Sequence, residues 1–230
     1  MNSDLVRPAA VLWDMDGTLV DTEEYWIAAE INLVNQAGGV WTHADGLSVV
    51  GKPIPVTAIE LQKRGGVTLE VSEIVQSLLD FVETEMRTKG IPWRPGALEL
   101  LEKIHTAGIP SALVTMSYKQ LANVVLDLLP NRPISVAVTG EIVKHGKPHP
   151  EPYLMAAKLL GVEPSKCLAI EDSLTGIMSA EAAGTNVLGI PHMVEIPAAE
   201  KRNRAPSLTA IDWPEISQIM SNKTLDLIRG

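Results

Sequence analysis

The sequence predicts an α/β protein: a parallel sheet covered by helices on both faces, with an all-helical block inserted into it. Three observations carry that prediction. From residue 97 onward, short apolar runs alternate with helical stretches, as strands buried on both faces require. One more such run, residues 11–13, stands near the start of the chain. Between them, residues 21–92 show helical spacing and hardly any strand signal, so the chain leaves the sheet after one strand and returns to it.

Taken in order, the first strand (11–13) is apolar and ends on Asp14. The stretch 22–36 sets Tyr25, Ala28, Ala29, Leu33 and Ala37 near helical spacing and stops at Gly38-Gly39. A shorter helix over 56–62 ends at Gly65-Gly66. A long one over 71–89 carries the stripe Ile74, Leu78, Phe81, Val82 and Met86 and ends at Gly90. After Trp93-Arg94-Pro95-Gly96, helix 97–106 leads through Gly108 to strand 111–114. Helix 118–129 leads to strand 135–138, helix 150–160 to strand 167–170, and helix 174–183 to strand 186–190. The expected organisation is a sheet-bearing core of residues 1–20 and 93–230, with 21–92 inserted after the first strand. Pro53, Pro55, Pro92 and Pro95 lie near the seams.

Composition narrows the function. A chain of 230 residues, 46% apolar and 20% charged, can bury a sizeable core as one large domain or two smaller ones. Nineteen basic against 28 acidic residues leave a net charge of −9, which argues against a nucleic-acid or membrane-surface partner. A small anion in a cleft is still compatible with that charge. The single cysteine, Cys167, lies in an apolar run and reads as a buried structural thiol, so a reducing cytoplasm is the expected compartment. No leader pattern opens the sequence, and no apolar run approaches about 18 residues.

In an open α/β sheet, ligands bind beyond the carboxyl ends of the strands. Asp14, Thr115 and the pair Glu171-Asp172 all fall at such ends. A polar cap at a strand end would account for any one of them, but not for their convergence. Asp14, Asp16, Glu171 and Asp172 at short range cannot all ionise without a cation among them. Oxygen-only ligands call for a hard ion, and Mg²⁺ is the default. Asp14 would then be both metal ligand and nucleophile, since aspartate forms phospho-enzymes. Asp16 is placed to protonate a leaving alcohol and then to deprotonate water. Gly17 and Thr18 permit a sharp exit from the strand.

Phosphoryl transfer also needs donors around the phosphoryl oxygens. Thr115 and the amide of Met116 are candidates, with Lys147 to neutralise charge. Lys147 lies in Gly146-Lys147-Pro148, just before helix 150–160, where the proline restricts its backbone. The same tripeptide recurs at Gly51-Lys52-Pro53, inside the helical block, where a solvated lysine is expected. His145 and His149 have the spacing of two ligands on a helix turn. Gly146 and Pro148 interrupt any such helix, so no zinc site is expected there. Lys201-Arg202-Asn203-Arg204 reads as a solvated loop.

These residues resemble the haloacid dehalogenase-like hydrolase superfamily, and within it the β-phosphoglucomutase-like, sugar-phosphate phosphatase branch. Four motifs occur in order: DMDGT at 14–18, LVTMS with Thr115, GKPHPEPY with Lys147, and IEDS at 170–173. The resemblance implies a Rossmann-like core with a helical cap over the active site. It implies Asp14 as nucleophile, Asp16 as general acid/base, and Thr115 and Lys147 as phosphate binders. Mg²⁺ would be held by Asp14, the backbone carbonyl of Asp16, and Asp172, with Glu171 as ligand or outer-shell anchor. Dehalogenases of this fold lack the second aspartate, so Asp16 favours phosphate over halide. Phosphonate-cleaving relatives use a cap lysine, for which Lys52 has no distinguishing feature. Sugar-phosphate mutases resemble this chain at the first cap helix but carry a histidine where Trp26 stands, which favours a plain phosphatase. Trp26 reads equally as packing or substrate contact, and Glu24, Lys52 and Trp41 are further cap candidates. The expectation is a Mg²⁺-dependent phosphatase of a small phosphorylated metabolite. A hexose-phosphate mutase and a catalytically silent binding protein are the alternatives.

Overall fold

The computed structural model describes residues 5–228, so the first four and last two residues of the expected core lie outside the described residues. The chain forms two compact units. One is Thr22–Pro92; the other combines the described residues up to Asp21 with those from Trp93 onward.

Thr22–Pro92 is helical: α1 (Glu23–Gln36), α2 (His43–Leu47), α3 (Ile54–Gly65) and α4 (Val71–Lys89). The α4 stripe behaves as its spacing predicts, with Ile74, Leu78, Val82 and Met86 buried against the other helices. α2 was not expected. Its five residues are too few to show a period, and it forms because Thr42 and Asp45 cap one another's backbone N–H groups. α3 extends beyond 56–62 at both ends, starting where Pro53 leaves an extended backbone and stopping at Gly66, whose φ is +72°. Trp41 is 4% exposed, so its ring packs inside this unit. Its Nε1–H donates to Glu30 Oε2 at 3.0 Å. The Arg64 guanidinium lies 4.7 Å over the same ring and pairs with Asp45.

The other unit holds the sheet: β1 (Ala10–Trp13), β2 (Ser111–Val114), β3 (Ile134–Val138), β4 (Cys167–Glu171), β5 (Asn186–Gly189) and β6 (Asn203–Arg204). The spatial order is β3-β2-β1-β4-β5-β6, with every adjacent pair parallel. Its helices are α5 (Ala97–Thr106), α6 (Lys119–Leu128), α7 (Glu151–Leu160), α8 (Leu174–Ala182) and α9 (Trp213–Met220). One sheet face sets Ala10, Leu12, Ala112, Val114 and Ala169 against Tyr153 and Ala156 of α7 and Ile177 of α8. The alternate residues Val11, Trp13, Leu113, Leu168 and Ile170 are equally buried, so both faces are covered. Trp13 is accommodated because its indole N–H donates to Ser111 Oγ at 3.2 Å. Cys167 is buried as expected, and burial pushes its thiol up to about 11, where it is inert.

The basic tetrapeptide 201–204 departs from the sequence expectation. Asn203 and Arg204 are buried in β6. Asn203 donates to Val187 O at 2.8 Å and accepts from Leu225 N at 2.9 Å. Arg204 donates to Ile196 O at 2.8 Å and to Asp226 at 2.6 Å. Those bonds compensate the desolvation that polar residues otherwise resist. The backbone of Arg204 pairs with residues 225–227, which cover the sheet edge. Where the chain passes from one unit to the other, Arg94 N donates to Leu19 O at 2.8 Å and Val20 faces Trp93 in an antiparallel bridge. Among the described residues, no helix is long and apolar enough to cross a membrane.

Candidate active site

The central strands deliver their ends to one edge. Asp14 N donates to Ile170 O at 3.0 Å, which aligns the exits of β1 and β4, and Thr115 N donates to Val138 O at 2.9 Å. Beyond Asp14 the chain turns at once: Leu19 and Val20 N donate to Met15 O, and Gly17 N to Val20 O. Gly17 has φ +83°, and a Cβ there would lie 2.1 Å from Asp172 Oδ2. A glycine is therefore required for the turn to sit against Asp172.

Lys147 is the hub of the cluster. Its side chain is 7% exposed, and Nζ donates to Asp14 Oδ1 at 2.6 Å, Glu171 Oε1 at 2.6 Å and Val114 O at 2.8 Å. Burial works against the ammonium, but Asp14 and Glu171 outweigh it and raise its pKa. Glu171, fully buried at the end of β4, also accepts from Tyr153 Oη at 2.6 Å and Ser173 Oγ at 3.2 Å. Both of its oxygens are thus engaged, and it serves as the anchor for Lys147. Burial, with Asp14 adding to it, raises the Glu171 pKa.

Asp16 Oδ2 accepts from Ser117 Oγ at 2.7 Å and Thr115 Oγ1 at 3.1 Å. Burial, reinforced by the charge on Asp14, pushes Asp16 up to about 6 despite those two donors. Asp172 is pushed up to about 8, by burial first and then by Asp14 and Glu171. Met116 sits where Cβ atoms at Gly140 and Gly146 would collide with it, and its Sδ accepts from Lys147 N at 3.4 Å.

The structure therefore gathers Asp14, Asp16, Thr115, Met116, Lys147, Glu171 and Asp172 at one sheet edge. Glu24, Trp26 and Lys52 belong to the helical unit. There Glu24 is exposed and 3.2 Å from His43 Nε2, Lys52 is exposed and Trp26 is partly buried. Ser117, Tyr153 and Ser173 are additions. All three lie inside the motifs LVTMS, GKPHPEPY and IEDS, which is the signal that could have marked them.

The donor set suits a hard cation. Donor oxygens of Asp14, Glu171 and Asp172 lie within 4.8 Å of one another. Asp14 Oδ2 is buried with no hydrogen-bond partner, an arrangement costly for a carboxylate unless a cation completes it. The raised carboxyl groups point the same way, since like charges this close retain protons until positive charge is added.

The chain matches the haloacid dehalogenase-like hydrolase family over residues 11–190. It is 32% identical over 199 residues to hexitol phosphatase A of Escherichia coli (strain K12), spanning 84% of this chain and 87% of that protein. A phosphorylated carbohydrates phosphatase of Thermotoga maritima is 32% identical over 193 residues, spanning 80% and 85%. The solved β-phosphoglucomutase of Clostridium difficile superposes with a TM-score of 0.70, covering 93% of this chain and 97% of that one. At 22% identity that last likeness is one of fold alone.

Proposed function

The chain belongs to the haloacid dehalogenase-like hydrolase family, and from that membership we propose that it is a Mg²⁺-dependent phosphatase of a small, hydroxyl-rich phosphate ester, working through an aspartyl-phosphate. The observation that carries this reading is the Asp14 carboxylate. One of its oxygens is fixed by Lys147, the other is buried without a partner, and a carboxylate oxygen of Asp14 lies within 4.8 Å of one of Asp172.

In this reading Asp14 attacks phosphorus, the ester P–O bond breaks, and Asp16 gives its proton to the departing alkoxide. A pKa near 6 keeps part of the Asp16 population protonated close to neutrality. Asp16 then takes a proton from water, whose oxygen attacks the aspartyl-phosphate. The bond from phosphorus to Asp14 breaks, and inorganic phosphate leaves. Thr115, the Met116 amide and Lys147 hold the phosphoryl oxygens, and Ser117 orients Asp16 through its 2.7 Å bond. Asp14, Asp172 and the Asp16 carbonyl would hold Mg²⁺, which when bound supplies the positive charge that offsets phosphate and carboxylates alike. The helical unit acts as the cap that selects the leaving group, with Glu24, Trp26 and Lys52 reading it.

The test is an assay with Mg²⁺ against phosphorylated sugars, polyols, nucleotides and glycolate, with Asp14→Asn as the blank. Phosphate release by the parent and none by a folded Asp14→Asn is the expected result. Comparable release by both would refute the nucleophile. Isomerised sugar phosphate that appears only with an added bisphosphate would assign the chain to the mutases.

A further inference from the structure

The turn between β3 and α7 gathers a second set of metal-ligating side chains, apart from the acidic cluster. His145, His149 and Glu151 each offer one donor atom, and those atoms all lie within 4.8 Å of one another. His145 Nδ1 is 2.9 Å from Glu151 Oε2, and His149 Nδ1 is 4.0 Å from the same oxygen. The two imidazole rings stand with centroids 4.6 Å apart and planes inclined by 37°. Residues 145–150 are not helical, as Gly146 and Pro148 dictate. The turn itself folds the rings together, which a sequence spacing judged against a helix does not reveal.

The carboxylate is already fixed. Glu151 Oε1 accepts from Lys144 N at 2.8 Å and Oε2 from His145 N at 3.0 Å. Glu151 N donates to His149 Nδ1 at 3.2 Å, so Nδ1 holds the lone pair and Nε2 the proton, and Nδ1 would exchange this bond for the ion. Donors around a tetrahedral ion at zinc–nitrogen bond lengths stand roughly 3.3 Å apart. The separations of the two Nδ1 atoms from Glu151 Oε2, 2.9 and 4.0 Å, bracket that value.

We propose that His145, His149 and Glu151 form a binding site for a borderline divalent transition ion of the Zn²⁺ or Ni²⁺ kind. Two imidazoles and one carboxylate favour such an ion over Mg²⁺, whereas the all-oxygen cluster around Asp14 has the opposite preference. The imidazole side chains are 60% and 50% exposed, so the ion enters from solvent. Lys147 lies in the same turn with its ammonium directed at Asp14 and Glu171, so the ion braces the segment that carries it.

The test uses tag-free full-length protein in excess Mg²⁺, with Zn²⁺ titrated against a chromophoric chelator. One Zn²⁺ per chain is expected, weakened at least tenfold by His145→Gln or His149→Gln and unchanged by Asp172→Asn. Amide hydrogen exchange over residues 144–149 should slow on Zn²⁺ addition in the parent and stay unchanged in the histidine variants. Equal Zn²⁺ binding by the parent and both histidine variants would overturn the site, as would binding that disappears only with Asp172→Asn.

Discussion

Gly17 leaves no room for a methyl group. A Cβ there would meet Asp172 Oδ2 at 2.1 Å, on a backbone whose φ is +83°. Gly17→Ala must therefore strain the turn, displace Asp172, or both. We expect at least about 1 kcal/mol of lost stability in urea unfolding and a fall in phosphate release of tenfold or more. A variant with parental stability and turnover would show that the turn tolerates displacement of Asp172. At this scale the acidic residues were legible because several strand ends converge on one edge with carboxylates, and Lys147 because it stands in Gly146-Lys147-Pro148 just before helix 150–160. Ser117 and Tyr153 were not singled out, although both lie inside quoted motifs, because their partners, Asp16 and Glu171, are set by the fold. Trp41 shows the reverse: as a large aromatic it suggested a substrate contact, yet its indole N–H is taken by Glu30 and its ring by Arg64.

Within α1, Glu30 is a buried carboxyl whose pKa burial pushes up to about 7 from 4.5, against the opposing bond from Trp41. Its folded value exceeds its unfolded one, so the folded chain binds the proton more tightly. The resulting stability is fully present below about 4.5 and is lost as pH rises through about 7. Glu30→Gln keeps an acceptor for Trp41 and removes the titration. The thermal midpoint of the parent should fall relative to that variant between pH 5 and pH 8; parallel profiles would contradict the buried carboxyl. Elements with a clear period or a glycine stop, such as α4 and α5, were legible from end to end. β6 and α2 were not. The polarity of Asn203-Arg204 conceals a paired edge strand, and α2 rests on one capping box rather than on an apolar face.

For the molecule as a whole, the proposed Mg²⁺ site would couple cation binding to folding. A ligand bound only by the native state at 100 times its dissociation constant adds about 2.7 kcal/mol. Saturating Mg²⁺ should raise the unfolding midpoint of the parent, chelator should reverse the rise, and Asp172→Asn should remove most of it. An identical midpoint with and without Mg²⁺ would refute the assignment of the ion to this cluster. The fold class was legible because alternating helices and apolar runs admit few other arrangements, whereas the spatial order β3-β2-β1-β4-β5-β6 depends on pairings that the sequence reading did not assign. The clasp formed by Leu19 with Arg94 and Val20 with Trp93 could not be read in advance, since it joins residues more than 70 positions apart by backbone bonds alone. Its consequence is modularity. The chain that leaves the sheet-bearing unit and the chain that returns to it are pinned together by one short clip of main chain, so a module threaded between those two points should be open to exchange, lengthening or redesign while the strand ends keep their places.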